Sequence, residues 1–144
     1  MTTATPAAPT RALPGALPTP ASLRGAAQAA AARGEPLVVM TTLPGCPYCD
    51  LVRNHHLLPM LREGRVVAVQ LDVRDRTSNL QGFGGENTTP ADQLRLWKAR
   101  FTPTVLFFGP DGRELAERLV GVAVPDFYGE YLDARLAEAR RQLR

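Results

Sequence analysis

The sequence predicts a three-layer α/β fold, in which a central mixed β-sheet is flanked by helices. Apolar runs at residues 37–42, 66–73 and 104–108 are typical of strands that are buried on both faces. Helical segments alternate with these runs, which indicates a parallel portion of the sheet. A Gly-Pro-Asp-Gly turn at residues 109–112 leads to a further strand at about 114–120, which predicts an antiparallel edge.

The chain of 144 residues has the length of one ordinary domain with a short tail. Residues 1–20 contain five prolines among alanines and threonines. Such a composition cannot bury a core and predicts a disordered or extended tail. We therefore assign residues 21–144 to the domain, with Ser22 as N-cap of an alanine-rich first helix that ends before Gly34.

The second helix is expected to begin around residues 46–47, after the first strand and a short loop. Proline suits the first turn of a helix because its missing N–H would have no partner there. Leu51, His55 and Leu58 are spaced to share one face of this helix. Pro59 is then expected to end or kink it.

The second half of the chain predicts two more helices. Residues 74–88 are polar and glycine-rich, which indicates a long surface loop. Thr89 is a suitable start for the third helix, and Pro125 opens the last one. Apolar residues are spaced to face the core at Leu94, Trp97 and Phe101 in the third helix, and at Phe127, Tyr131, Leu132 and Leu136 in the last.

Composition excludes several classes of partner. The formal net charge is +3, and no basic stripe is interleaved with aromatic residues, so no nucleic-acid partner is indicated. No stretch approaches the roughly 18 consecutive apolar residues of a membrane-spanning helix. The first part of the chain lacks the pattern of a secretory leader, which fits a cytoplasmic protein or the mature form of an exported one. Nothing indicates an obligate dimer, so a monomer is expected.

The two cysteines of the chain, Cys46 and Cys49, are separated by two residues. A disulfide between them closes almost no loop, so a purely structural role is a poor explanation. Structural zinc needs four ligands. The nearest histidines, His55 and His56, lie on the same predicted helix as Cys49, and one helix cannot wrap all four groups around an ion. We therefore expect no metal site.

The predicted position of Cys46, at the carboxyl end of a strand and the start of a helix, favours redox chemistry. Unpaired backbone N–H groups and the helix dipole stabilise a thiolate there and lower the pKa of the thiol. This thiolate attacks a disulfide, and Cys49, one turn further on, is placed to attack the mixed disulfide and release the substrate. No cofactor is needed apart from the Cys46–Cys49 disulfide itself.

Two motifs in order resemble the thioredoxin superfamily: Cys-Pro-Tyr-Cys at residues 46–49 and Phe-Thr-Pro-Thr at residues 101–104, before an apolar strand. With the closing hairpin and helix, the resemblance covers about residues 22–144. It implies a thioredoxin-like fold in which the Thr102–Pro103 peptide bond is cis and Pro103 lies against the cysteine pair. It also implies that the backbone of Thr102 pairs with the substrate, while Tyr48 shapes the rim of the site.

The motifs differ from two branches of this superfamily. The Pro-Tyr dipeptide resembles glutaredoxins, but residues 120–124 lack the second glycine and the acid by which that branch holds glutathione. Thioredoxins carry a tryptophan before the first cysteine and a buried carboxylate on the first core strand, where this chain has Gly45 and Met40. Deprotonation of Cys49 would then need water or another group, and Asp50 is next in sequence.

The insertion at residues 74–88 and the sequence around the cysteines are most similar to bacterial exported thioredoxin-like proteins. This similarity implies a periplasmic location, with the cytoplasm as the alternative. The expected function is that of a thiol–disulfide oxidoreductase that reduces or exchanges disulfides in protein substrates and receives electrons from an upstream thiol donor. Two alternatives stay open: a glutathione-dependent reductase of the glutaredoxin kind, and a binding module of the same fold without catalysis.

Overall fold

The computed structural model describes residues 16–143 and confirms the three-layer α/β prediction. Its strands are β1 Leu37–Thr42, β2 Val67–Asp72, β3 Leu80–Gln81, β4 Asn87–Thr88, β5 Thr104–Phe108 and β6 Leu119–Val120. Its α-helices are α1 Leu23–Ala32, α2 Pro47–Val52, α3 Leu58–Arg62, α4 Pro90–Leu96 and α5 Tyr128–Gln142. The central mixed sheet has the order β2-β1-β5-β6, in which β1 and β2 are parallel and β5 is antiparallel to both of its neighbours.

The sheet separates two hydrophobic cores because successive side chains of a strand point to opposite faces. On one face, which we call the α5-side core, Val38 and Phe107 pack with residues of α2, α3 and α5. On the other face, the α1-side core, Val39 and Leu106 pack with residues of α1 and α4. All side chains of β1 and β5 are buried. The sheet is therefore covered on both faces, as the unbroken apolar runs predict.

The helix that follows β1 is longer than expected. Pro59 does not end it, because a π-helical segment, Arg53–Leu57, joins α2 to α3 and carries the helix on to Arg62. In this segment Leu58 donates its N–H to the carbonyl of Arg53, five residues back. The wider turn shifts the buried face, so His55 is exposed instead of lying on the core side with Leu58.

Two predicted core faces are corrected by the local backbone. Helix α4 ends at Leu96, and Lys98 has a left-handed conformation with φ 56°, so Phe101 lies beyond the helix and is exposed. A 3-10 turn, Pro125–Phe127, precedes α5 and changes the helical phase. Side chains of α5 that face the core are therefore Tyr128, Leu132, Leu136 and Ala139, whereas Phe127 and Tyr131 are exposed.

Two irregular segments also differ from the prediction. The stretch at residues 74–88 contains the small antiparallel pair β3–β4, and Leu80 is buried in the α1-side core. The last strand is only two residues long, although its antiparallel pairing with β5 is as predicted. A single bridge between Phe108 and Glu114 marks the beginning of this hairpin.

The structure also describes the end of the segment assigned to the tail. Leu17 is buried in the α5-side core, and its backbone N–H donates to Gln70 Oε1 at 3.2 Å. The carbonyl of Pro18 accepts from the N–H of Gln70 at 2.9 Å. Residues 16–20 thus belong with the domain, and the predicted boundary after residue 20 moves towards the N-terminus. The rest of the predicted tail, residues 1–15, lies outside the described residues.

Within residues 16–143, no helix has the length and apolar character that crossing a membrane requires.

Candidate functional site

The two cysteines lie at the start of the helix that follows β1. Cys46 is the N-cap of α2, in extended conformation, and Pro47 occupies the first turn. The preceding loop is turned by Gly45, whose φ of 79° is a left-handed conformation that suits glycine. Cys46 therefore stands at the carboxyl end of β1 with its side chain over the first turn of the helix.

Cys46 and Cys49 form a disulfide. Cys46 is half-buried, whereas Cys49 is completely buried in the first turn of the helix. The backbone N–H of Cys49 donates to Cys46 Sγ at 3.2 Å, and such a donor stabilises negative charge on that sulfur once the bond is reduced. Cys46 is thus the sulfur that an incoming group can reach, and Cys49 lies behind it.

The second predicted motif lies against this pair. The Thr102–Pro103 peptide bond is cis, and the hydroxyl of Thr102 donates to Cys46 Sγ at 3.6 Å. The carbonyl of Pro103 accepts from the N–H of Gly121 at 2.7 Å, so the turn after β6 is tied to the same loop. Three segments far apart in sequence are therefore joined, with Cys46 in contact with Thr102 and Pro103 bound to Gly121.

Two buried hydroxyls hold this loop on β1. The Oγ1 of Thr41 accepts from the N–H of Thr104 at 2.7 Å and donates to the carbonyl of Phe101 at 3.1 Å. The Oγ1 of Thr104 donates to the same carbonyl at 2.6 Å. We call these three contacts the hydroxyl clamp. Both hydroxyl side chains are buried, and hydrogen bonds made by buried groups are hard to replace. The clamp therefore fixes the backbone on either side of Thr102 and Pro103.

Thr41 also faces the inner cysteine: its carbonyl oxygen lies 4.0 Å from Cys49 Sγ. The neighbouring position, Met40, is completely buried in the α5-side core and carries no ionisable group. Asp50, which follows Cys49, is exposed and bound to Arg53. Met40 thus occupies the strand position where thioredoxins carry a buried carboxylate, and it supplies no group that could accept a proton from Cys49.

A buried arginine, which the sequence reasoning missed, lies one helical turn after Cys49. The side chain of Arg53 is about 10% exposed and uses three donors. It donates from Nη2 to Thr42 Oγ1 at 2.6 Å, from Nε to Gln70 Oε1 at 3.0 Å, and from Nη1 to Asp50 Oδ1 at 2.9 Å. Arg53 thereby connects the helix to the carboxyl ends of β1 and β2, beside the loop that carries Cys46.

This arginine borders a cleft of about 250 Å³ next to the cysteine loop, lined in part by Leu43, Gly45 and Ala16. The sequence did contain a signal for this buried arginine, because Arg53 lies four residues after Cys49 on an otherwise apolar helix face. Thr41 gave a weaker signal, as a hydroxyl at the end of an apolar strand. Neither position revealed its distant partner, since Gln70 lies 17 residues after Arg53 and Thr104 lies 63 residues after Thr41.

The remaining candidates lie at different distances from the chemistry. Tyr48 is half exposed in the first turn of α2, between the two cysteines. His55 is exposed, and His56 packs its ring against that of Tyr128 with centroids 5.3 Å apart, in the second half of the helix. Among residues 16–143, no three side chains of His, Cys, Asp or Glu come together in a group able to hold a metal ion.

Comparison with known proteins shows the family to which this chain belongs. A family model described as a thioredoxin-like domain matches residues 23–135. A sequence search of curated proteins gave no significant match.

Solved thioredoxins have similar structures. Oxidised thioredoxin O2 from Arabidopsis thaliana has a TM-score of 0.53 and 14% identity, over 88% of this chain and 99% of that one. A poplar thioredoxin h has a TM-score of 0.51 and 17% identity, over 74% and 82%. Fasciola hepatica thioredoxin has a TM-score of 0.51 and 16% identity, over 80% and 95%. At these identities the similarity concerns the fold.

Proposed function

The chain belongs to the family of thioredoxin-like domains and is a thiol–disulfide oxidoreductase, and from this premise we propose that it reduces disulfide bonds in protein substrates. The observation that carries the proposal is the unequal exposure of the two sulfurs. Cys46 is half-buried at the start of a helix and accepts a backbone N–H, whereas Cys49 is fully buried behind it. The first therefore attacks and the second resolves.

The reaction starts from the reduced protein, with Cys46 as thiolate and Cys49 as thiol. Cys46 Sγ attacks one sulfur of the substrate disulfide, a mixed disulfide forms, and the other substrate sulfur leaves as a thiolate that takes a proton from water. Cys49 then loses its proton to water, and its thiolate attacks Cys46 Sγ. The second substrate sulfur leaves and is protonated, so two electrons pass from the protein dithiol to the substrate.

Thr102 and Pro103 serve the binding step in this proposal. The Thr102 hydroxyl donates to Cys46 Sγ and the cis bond follows it directly, which supports binding of a substrate chain along this loop. We infer that the backbone of Thr102 pairs with an extended substrate segment. Tyr48, which lies between the two cysteines in sequence and is half exposed, forms part of the rim in this proposal.

We propose that the protein acts as a monomer in the periplasm, with an upstream dithiol as electron donor. The likeness of its cysteine context and of its insertion at residues 74–88 to exported thioredoxin-like proteins supports this location. Expression of the full-length gene product in a bacterial host, followed by cell fractionation, tests the location, and the protein is expected in the periplasmic fraction. Light scattering of the purified protein tests the oligomeric state, and the mass of one chain is expected.

Serine variants test the roles of the sulfurs. Cys46→Ser is expected to abolish reduction of insulin disulfides by dithiothreitol, because it removes the attacking group. Cys49→Ser is expected to accumulate a mixed disulfide, because the resolving group is gone. Mass spectrometry under non-reducing conditions detects the adduct, and the Cys46→Ser/Cys49→Ser double variant is the control that forms none. Full activity of Cys46→Ser would contradict the proposal.

The reduction potential tests the direction of electron flow. Equilibration in glutathione redox buffers gives the potential of the Cys46–Cys49 couple. A value near about −270 mV is expected for a reductant. A value near about −120 mV would mean a strongly stabilised Cys46 thiolate and a protein that donates disulfides, which would reverse the proposed direction.

A further inference from the structure

Phe101 is an unusually placed aromatic residue. It directly precedes Thr102, whose hydroxyl donates to Cys46 Sγ, and 62% of its surface is exposed. Burying a phenylalanine side chain is worth about 1.5–3 kcal/mol, so folding alone gives no reason for a phenylalanine to stand in solvent beside the reactive sulfur. A partner that covers the ring during the reaction would give one.

The backbone of Phe101 is held by hydrogen bonds, although most of its side chain is exposed. Its carbonyl accepts from two buried hydroxyls, those of Thr41 at 3.1 Å and Thr104 at 2.6 Å. The Thr41 hydroxyl in turn accepts the N–H of Thr104 at 2.7 Å. The hydroxyl clamp therefore fixes the backbone from which the exposed ring projects.

The ring is also held from the side. A Cβ placed on Gly121 would lie 3.0 Å from Phe101 Cε2, so the edge of the ring rests against this glycine. Gly121 has a φ of 70° and donates its N–H to the Pro103 carbonyl. Glycine thus allows the turn after β6 to approach the ring closely, while most of the side chain stays exposed to solvent.

We propose that Phe101 is a specificity-determining residue that selects substrates with an apolar side chain next to the attacked cysteine. Consecutive Cα atoms are 3.8 Å apart. If the substrate cysteine lies beside Thr102, the next substrate residue is therefore about as far along its chain as Phe101 is from Thr102. Contact with the exposed part of the ring removes apolar surface of both partners from water. This inference rests on the proposed reduction of peptide and protein disulfides and adds the class of residue that the site prefers.

Two peptide disulfides that differ at one position test the inference. Each peptide carries one cysteine, in disulfide linkage to a small thiol, and either leucine or serine beside it. The wild-type protein is expected to show a kcat/KM about tenfold higher for the leucine peptide, in the range that one small apolar contact supplies. Phe101→Ala is expected to bring the two peptides to equal values, while Phe101→Leu keeps most of the preference.

Two controls separate binding from a general effect. Hydroxyethyl disulfide lacks the neighbouring residue, so Phe101→Ala is expected to slow its reduction much less than that of the leucine peptide. Leu96→Ala changes another exposed apolar residue, 72% exposed, and is expected to keep the leucine preference.

The outcomes distinguish this inference from the proposed function. If the wild type reduces neither peptide, the proposed function fails. If the wild type reduces both equally, if Phe101→Ala keeps the preference, or if Phe101→Ala slows hydroxyethyl disulfide as much as the leucine peptide, the role of Phe101 is overturned while disulfide reduction stands. Thr41→Val and Thr41→Ser give a second check, because only the serine variant retains the clamp hydroxyl and is expected to retain the preference.

Discussion

Thr41 performs two tasks from one position in the sheet. Its hydroxyl joins Thr104 and Phe101, and its carbonyl faces Cys49 Sγ. Its side chain is completely buried, and a buried polar group that loses its partner carries a full desolvation cost. A single residue thus contacts both the inner cysteine and the loop that carries Thr102 and Pro103.

Replacement of Thr41 by valine, which has the same shape, tests the energetic importance of the clamp. The N–H of Thr104 would lose its acceptor, so the free energy of unfolding is expected to fall by about 1–3 kcal/mol. Thr41→Ser keeps the acceptor and is expected to lose less. Urea unfolding of the oxidised proteins measures both, and equal stability of the valine variant and wild type would contradict the prediction.

Arg53 contributes at the same scale by a different route. Its contact with Asp50 is largely exposed to water and stabilises little, whereas its bonds to Thr42 and Gln70 are enclosed between the helix and the sheet. Hydrogen bonds to a charged group of this kind are worth about 1.5–3 kcal/mol.

Arg53→Met keeps most of the apolar stem and removes the guanidinium. The free energy of unfolding is expected to fall by about 1–3 kcal/mol because enclosed polar groups lose their charged partner. Arg95→Met is the matched control, since Arg95 forms an exposed pair with Asp92 and such pairs are worth about 0–1 kcal/mol. Equal losses in the two variants, measured by urea unfolding, would argue against the enclosed network.

At the scale of the element, the helix from Pro47 to Arg62 carries Cys49 in its first turn and continues through Pro59. Proline has no N–H to donate and crowds the carbonyl four residues before it, so a regular α-helix is disturbed just ahead of Pro59. The π-helical turn at Arg53–Leu57 absorbs this disturbance and lets the helix continue. It also turns His56 towards α5, where its ring contacts Tyr128.

His56 makes stability depend on pH. Burial lowers the pKa of His56 below its usual 6.5, and the charge of His55 lowers it further, while Asp133 acts in the opposite direction. The unfolded chain therefore binds a proton more readily than the folded protein, and stability is lost as the pH falls below about 6.5. In urea unfolding at about pH 7 and about pH 5, His56→Gln is expected to lose less stability than wild type.

His55→Gln is the control for this effect. It removes the smaller, Coulombic cause and leaves the burial of His56, so most of the pH dependence of wild type is expected to remain. An identical loss of stability in wild type and His56→Gln would show that the pH dependence arises from other groups.

Elements differ in how far the sequence predicts them. The strands at Leu37–Thr42 and Thr104–Phe108 and the helix start at Cys46 depend on local patterns, and the structure places them as expected. The outward positions of Phe101 and Tyr131 depend on a left-handed residue and a 3-10 turn that change the helical phase, which a periodic pattern does not register. The hydroxyl clamp joins residues some 60 positions apart, so no local window contains it.

At the scale of the whole molecule, one sheet serves two cores. Adjacent residues of β5 belong to opposite sides, with Phe107 in the α5-side core and Leu106 in the α1-side core. A change in one core must therefore act on the strand that the other core packs against. Domains of this size usually unfold in a single cooperative transition.

Phe107→Ala tests this coupling. Loss of a buried phenylalanine is expected to lower the free energy of unfolding by about 3–5 kcal/mol. The single tryptophan, Trp97, packs with Phe83 and Phe108 against the α1-side core, so its fluorescence reports the side opposite to the substitution. Fluorescence and circular dichroism are expected to give the same lowered midpoint, whereas an unchanged fluorescence midpoint would mean that the two cores unfold separately.

The two ends of the described chain lie at opposite ends of the central strands. Ala16 borders the cleft beside the cysteine loop at the carboxyl end of β1, whereas Leu143 lies with Gly34 and Pro110, near the start of β1 and the end of β5. A bulky fusion partner or a solid support joined after α5 would leave the sulfur of Cys46 open to large substrates. The same attachment directly before Ala16 would crowd it, so immobilised preparations of this oxidoreductase and fluorescent redox reporters built on this domain are best linked through α5.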